Sequence, residues 1–372
     1  MKKFNVVVLS TILLAVGLLT SCGEKKEVLS IYNWTYYTPD SLLRKFEKEY
    51  NCVIKCDFFD SNEVMYSKLK AGAKGYDLTI PSSDYVSIMI NQGMLEKIDL
   101  SKFPNAKYIN PECLEKAKGY DPDMTWCVPY CVAANGIAVN KTKVSDYPRS
   151  YDIFEMPEFR GHMTMMDDMR LSIGSALMYL GYSLNTHEES EIREAGEYLK
   201  THWLPNLLKF DAESFGKNFA SGNYWVCDGY AENIFGEVPE DKQEETIDFF
   251  VPETGSGAYQ DSIVILKGTK HYDLAMKFIN FSHEPENYAE FLDALKFPPY
   301  VNTAAAQYTK KKPMYPPELL DRVELKMDVG EDLQKYNEVW EEIRFGLSKI
   351  LHAEFISASD RFKCVNEFRE EM

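Results

Sequence analysis

The sequence predicts an α/β protein built as two lobes, each a mostly parallel sheet flanked by helices. Three observations predict it. Strand-like and helix-like segments alternate over the first hundred residues, the β-α-β-α-β pattern of a parallel sheet with helices on its faces. Two extended apolar runs, 126–140 and 249–266, are long enough to leave one lobe and enter another. The chain has 372 residues, more than a single hydrophobic core usually organises.

The first segment is not part of either lobe. Lys2 and Lys3 precede an uncharged apolar stretch, 6–19, followed by Leu19-Thr20-Ser21-Cys22. About 14 apolar residues are too few to span a bilayer comfortably and fit a secretory signal. The small-residue site ending in Cys resembles a bacterial lipobox. It predicts a signal peptide over 1–21, lipid on Cys22 and a polar tether over 22–27. The 351 residues from Cys22 onward carry a formal charge of −19, against −17 for the whole chain. Such acidity disfavours nucleic acid, whose phosphates need a basic patch, and attracts cations.

The first strand ends in Tyr32-Asn33-Trp34-Thr35-Tyr36-Tyr37, a concentration of rings that core filling alone does not require. Thr38, Pro39 and Asp40 then read as N-cap, first helical position and first turn, with Leu42, Leu43, Phe46 and Tyr50 on one face. Residues 52–59 read as a strand, 61–72 as a capped helix ended by Gly72, and 76–80 as a buried strand. Residues 81–95 begin in a turn and continue as a helix. In such sheets ligands sit beyond the C-terminal strand ends, where both the aromatic run and Pro81-Ser82-Ser83-Asp84-Tyr85 fall. The runs at 126–140 and 249–266 are the crossings, and 272–295 is helical with Leu274, Phe278 and Phe281 on one stripe. The lobes are expected at 28–133 with 262–306, and at 134–261 with 307–372.

Seven cysteines follow Cys22's signal as Cys52, Cys56, Cys113, Cys127, Cys131, Cys227 and Cys364 when the lipidated residue is set aside. Residues four apart on one strand lie about 13 Å apart and cannot bridge each other, so Cys52/Cys56 and Cys127/Cys131 are not pairs. The scattered histidines match no metal-binding frame, and neither metal nor cofactor is expected. Ile173-Gly174-Ser175-Ala176 lacks the second glycine of a nucleophile elbow, and no enzyme activity is expected.

Residues 32–50, 61–86, 93–99, 128–140 and 257–265 together resemble the spermidine/putrescine-binding proteins of bacterial ABC importers, colinearly from about residue 28 to 350. The resemblance implies a type II periplasmic binding protein fold with a ligand cleft between lobes. It implies a monomer that captures a polyamine and delivers it to an ABC permease in the inner membrane, from the periplasm or cell surface. The chemistry agrees. Each ammonium of a polyamine needs carboxylates or carbonyls, and its methylenes need flat apolar walls, which aromatics supply together with cation–π attraction. Carried over by position, the ligand contacts fall on Trp34, Thr35, Tyr37, Ser83, Tyr85, Asp168, Tyr230, Tyr259 and Asp261. Asp168 alternatively reads as a helix N-cap and Asp261 as a turn residue. Asp228 and Glu232 are further carboxylates. Phe297 and Tyr300 share the region of another ring contact.

The sequence departs from the family at three positions. Tyr36 and Leu171 replace acidic residues, and Lys326 falls where Gln is common. Leucine cannot pair a mid-chain ammonium, and Lys326 would repel a third charge, so a diamine such as putrescine or cadaverine is expected to bind better than spermidine. A different small cation or a neutral solute on the same fold, or ligand sensing in place of transport, are the alternative readings.

Overall fold

The computed structural model describes residues 26–35 and 37–347. The signal segment, Cys22, Tyr36, Cys364 and the last 25 residues lie outside the described residues. The strands are β1 (Val28–Trp34), β2 (Val53–Phe59), β3 (Leu78–Thr79), β4 (Cys127–Asn140), β5 (Met163–Met165), β6 (Leu207–Phe210), β7 (Val226–Tyr230), β8 (Ile247–Phe250), β9 (Ser256–Ile265) and β10 (Val323–Leu325). They run β2-β1-β3-β9-β4-β7-β5-β6, with β10 beside β9 and β8 beside β4.

β1 is parallel to β2 and β3, and β5 is parallel to β6 and β7. These parallel sets are the two halves of the fold. Between them β4 and β9 run antiparallel, from Cys127 opposite Val264 to Ala134 opposite Ala258. Beyond Ala134, β4 changes partners and pairs with β7 and β8. All fourteen residues of β4 are buried. That continuous burial explains why the run is apolar throughout instead of alternating. At Gly136 an added Cβ would stand 2.6 Å from the Phe249 ring and 2.8 Å from the Phe250 carbonyl oxygen. Glycine lets β7 and β8 both close on β4 there.

One apolar cluster runs through both halves, from Phe46, Tyr130 and Phe291 to Phe215, Ala231 and Phe249. A second fills the β5–β7 half around Tyr151, Trp203 and Phe250. A third lies under β1 and β9, around Tyr32, Val86 and Val264. The six described cysteines are all free thiols, and only Cys56 is not buried.

Three local expectations are corrected. The first helix spans Asp40–Tyr50 with Pro39 as N-cap and no capping side chain. The Thr38 hydroxyl instead accepts from the Asn33 side chain, at 2.9 Å, and so braces the end of β1. The 272–295 segment is two helices, Tyr272–Ser282 and Pro285–Leu295. Pro285 lacks an N–H and disfavours helical geometry at Glu284, which ends the first helix and starts the second. The strand expected at 76–80 is reduced to Leu78 and Thr79.

Candidate functional site

The C-terminal ends of β1 and β3 lie side by side because the strands are parallel neighbours. The Trp34 indole N–H donates to the Ile80 carbonyl at 2.8 Å, and its ring packs 4.5 Å from Phe59. The chain leaving β3 meets β9 at Ser82, which bridges Asp261. Asp261 is 3% exposed. Its two carboxylate oxygens accept from the Ser82 hydroxyl at 2.7 Å and the Tyr37 hydroxyl at 2.8 Å. Burial pushes this carboxyl up to about 7; the two hydroxyls oppose the rise, while Glu232 and Asp84 add to it. Ser82 is itself held by Asn62. The Tyr37 ring rests edge-on to Phe291, 5.5 Å away.

Tyr259 lies two residues before Asp261 on β9 and so projects from the same face. Its ring meets Tyr230 edge-on at 5.2 Å, and its hydroxyl donates to Glu232 Oε1 at 2.7 Å. Glu232 stands in the first turn of the Ala231–Glu237 helix. Burial raises its carboxyl, partly offset by the Tyr259 hydroxyl and a backbone N–H. Its Oε2 is buried and has no hydrogen-bond partner.

Asp168 caps the Met169–Tyr179 helix, its Oδ1 accepting from the Arg170 and Leu171 amides at 2.8 and 3.1 Å. Its Oδ2 faces the Lys326 ammonium at 3.3 Å. The same ammonium is 3.7 Å from Asp84 in the Ser83–Asn91 helix. Burial would raise the Asp168 carboxyl, but Lys326 and the cap amides outweigh it and hold it below the usual range. Burial wins at Asp84, which is raised despite Lys326. For Lys326 burial is overcome by Asp168 and Asp84, which keep it charged. Arg170 is turned aside, over the Tyr336 ring and onto Leu184, Asn185 and Met327.

The structure therefore gathers Tyr37, Tyr259, Glu232 and Asp261 at one end and Asp168 and Lys326 at the other, with Tyr230 near both. Trp34 and Ser83 border the group; the Ser83 hydroxyl donates to the Lys326 carbonyl at 2.7 Å. The Thr35 and Tyr85 hydroxyls donate to Asp60 and Glu63 respectively, and half-buried Tyr85 also lies close enough to Asp84 and Lys326 to feel their charges. Four expected residues sit apart from the cluster. Asp228 is buried against Asn135 and Ser175, which oppose a rise to about 7 driven by burial. Leu171 is 2% exposed and packs on Gly257. Phe297 lies behind Phe291 in the core, and the Tyr300 hydroxyl bonds Asp321. Ser82, Asn62 and Asp84 were missed. Only Asp84 left a signal, an acid at a ligand-facing strand end, and that is equally the signature of a helix first turn. Surface grooves of about 710 Å³ around Tyr76 and His271, and about 900 Å³ around Phe235 and Tyr315, share no residue with this cluster.

Comparison with known proteins identifies the family. The profile of bacterial extracellular solute-binding proteins matches residues 41–317. The spermidine/putrescine-binding periplasmic protein of Escherichia coli is 33% identical over 358 residues, covering 93% of this chain and 100% of that protein. The putrescine-binding periplasmic protein SpuD of Pseudomonas aeruginosa is 32% identical over 314 residues, covering 80% of this chain and 85% of that one. The crystal structure of the TpPotD lipoprotein of Treponema pallidum superposes with a TM-score of 0.81 at 48% identity, covering 86% of this chain and all of that one. Two of these relatives are named as polyamine-binding periplasmic proteins and the third as a lipoprotein. The chain is a member of the bacterial extracellular solute-binding proteins, within the spermidine/putrescine-binding family.

Proposed function

We propose that this protein captures a polyamine between its lobes and presents it to an ABC permease. The observation that carries the reading is the charge imbalance of the cluster. The cluster holds four carboxyls and one ammonium among the rings of Trp34, Tyr37, Tyr230 and Tyr259: Asp84 and Asp168 flank Lys326, while Glu232 and Asp261 stand at the other end with only hydroxyl partners. Glu232 Oε2 has no partner, and Asp261 is covered without a cation. A buried carboxylate without a counter-charge is costly, so the cluster gains by taking a cation from solution. The rings select a cation with an apolar stem, whose methylenes they wall and whose ammonium groups they attract. A hard metal ion would use the oxygens alone and leave the aromatic walls without purpose.

In this reading one ammonium is paired by Asp261 and Glu232, with Tyr259 orienting Glu232, and the other by Asp168. Trp34, Tyr37, Tyr85, Tyr230 and Tyr259 line the alkyl chain, with Thr35 and Ser83 at its rim. The lobes divide at 133/134 and 261/262, where β4 and β9 cross and can take up a hinge rotation. Lipid on Cys22 would hold a monomer at the membrane beside its permease, in the periplasm or at the cell surface. Calorimetry of residues 26–372 with putrescine, cadaverine, spermidine and spermine tests the central claim. Micromolar or tighter binding of at least one is expected. Absence of heat and of thermal stabilisation by all four at millimolar concentration would refute it.

A further inference from the structure

Lys326 has features that net charge alone does not explain. It follows β10 directly, and the backbone around it is pinned from four sides. Its N–H donates to Ala258 at 2.9 Å, and its carbonyl accepts from Ser83 at 2.7 Å. The Met327 N–H donates to the Asn185 side chain at 2.9 Å, and the Met327 carbonyl accepts from Arg170 at 3.0 Å. The stem is thus fixed by groups from β9 and from both helices that carry the carboxylates it meets. Asp84 follows β3 in one half of the fold, and Asp168 follows β5 in the other. The Lys326 side chain retains 22% of its exposure, so its ammonium lies at the inner wall of the cleft and not in bulk water.

An ε-ammonium on a four-carbon stem is chemically one end of an alkyl polyamine. We propose that Lys326 is an internal ammonium that takes up one cation position of the cleft, bridging Asp84 and Asp168, and thereby limits the ligand to two charges. This inference rests on the polyamine reading and specifies its substrate class. Asp168 then serves two ammonium groups, the lysine's and one of the ligand's, while Asp261 and Glu232 serve the other. A two-charge diamine completes the pairing. A triamine or tetramine brings a further charge into the neighbourhood of Lys326, where Asp84 is already engaged and little water screens the repulsion.

The test is the ratio of spermidine to putrescine affinity, measured by competition calorimetry on the full soluble chain, residues 26–372. Lys326→Met keeps the apolar stem and removes the charge; Lys326→Gln removes the charge and keeps a hydrogen-bonding tip. In both, the ratio is expected to move at least tenfold toward spermidine, whatever the change in absolute affinity. A merely structural role for Lys326 would weaken both ligands together and leave the ratio alone. Ratios within twofold of the unsubstituted protein in either folded variant would overturn the inference while leaving polyamine binding intact. Failure of the unsubstituted protein to bind any polyamine would instead overturn the functional reading, and this inference with it.

Discussion

Asp261→Asn should weaken polyamine binding and flatten its dependence on pH. The substitution keeps the side-chain shape between Ser82 and Tyr37 and removes the charge opposite the ligand. A hydrogen bond to a charged group contributes roughly 1.5–3 kcal/mol, so the dissociation constant should rise about 10- to 150-fold at pH 8. The pH profile gives a second, independent number. Burial sets the Asp261 carboxyl at about 7 in the unliganded protein, whereas an ammonium beside it favours the ionised form. Binding must therefore release a proton whenever the carboxyl is protonated. At pH 6 only about one molecule in ten has it ionised, so apparent affinity should be about tenfold weaker at pH 6 than at pH 8. Alkylammonium groups, ordinarily near 10, stay charged throughout and add no slope of their own. Of the groups facing Asp261, Glu232 and Asp84 are also raised by burial and would steepen the profile in the same direction, while Tyr37, Tyr259 and Cys131 are raised away from this range. Calorimetry at pH 6, 7 and 8, in buffers of different ionisation enthalpy, reads affinity and proton release together. A dissociation constant that is flat across this range, or equal in Asp261→Asn, would remove Asp261 from the binding site.

Three further outcomes follow from the same structure. Asp228 is 1% exposed with its carboxyl raised to about 7, so the native state holds a proton there that the unfolded chain releases near 4. The resulting stability is present at low pH and lost as pH rises through about 7, by roughly 3–4 kcal/mol for the group; chemical denaturation at pH 5 and 8 should show a shallower decline in Asp228→Asn, and an unchanged decline would contradict the burial assigned to it. Gly136→Ala should destabilise by about 1–3 kcal/mol, because its Cβ meets the Phe250 backbone oxygen at 2.8 Å and strand backbone cannot swing aside as a side-chain tip can; a melting temperature equal to the parent's would refute that. Small-angle scattering with and without saturating putrescine should give a smaller radius of gyration with ligand, if β4 and β9, which pair between the two parallel sets, serve as the proposed hinge; an unchanged radius would mean that the lobes do not close on it.

The fold was legible because it rests on local patterns repeated many times. The alternation of strand and helix through β1, β2 and β3 is visible over residues 28–79, and the unbroken burial of β4 within its 14 residues. Local signals failed where two outcomes shared one signature. Thr38-Pro39-Asp40 has the composition of a capped start, yet the Thr38 hydroxyl found a nearer partner in Asn33. A continuous apolar stripe ran through 272–295, but the backbone chemistry of Pro285 overrode it. Leu171 was expected to face the ligand's methylenes, and it instead packs on Gly257, because a helix start that presents Asp168 outward turns its next residues onto β9.

The candidate site shows the same division between local and distant information. Tyr259 and Asp261 share a strand face, and that alternation is readable from two letters. Asp84 could not be read the same way, because an acid in a helix first turn is satisfied by the helix itself. What changes its meaning is Lys326, 242 positions later, and the lysine in turn acquires its meaning only from Asp84 and Asp168 together. No window of sequence contains those three residues. The pairing depends on β10 joining β9 in parallel, Glu324 beside Gly257, which sets the height at which the next side chain enters the cleft. A shift of one residue in that register would send the ammonium to the opposite face of the sheet, away from both carboxylates. The selectivity of the cleft is in this sense a property of strand register. Inserting one residue between Leu325 and Lys326 should therefore reproduce the selectivity change of Lys326→Met with the lysine still present in the chain. If the insertion left the spermidine-to-putrescine ratio as it was, the position of the ammonium would not be what sets the preference.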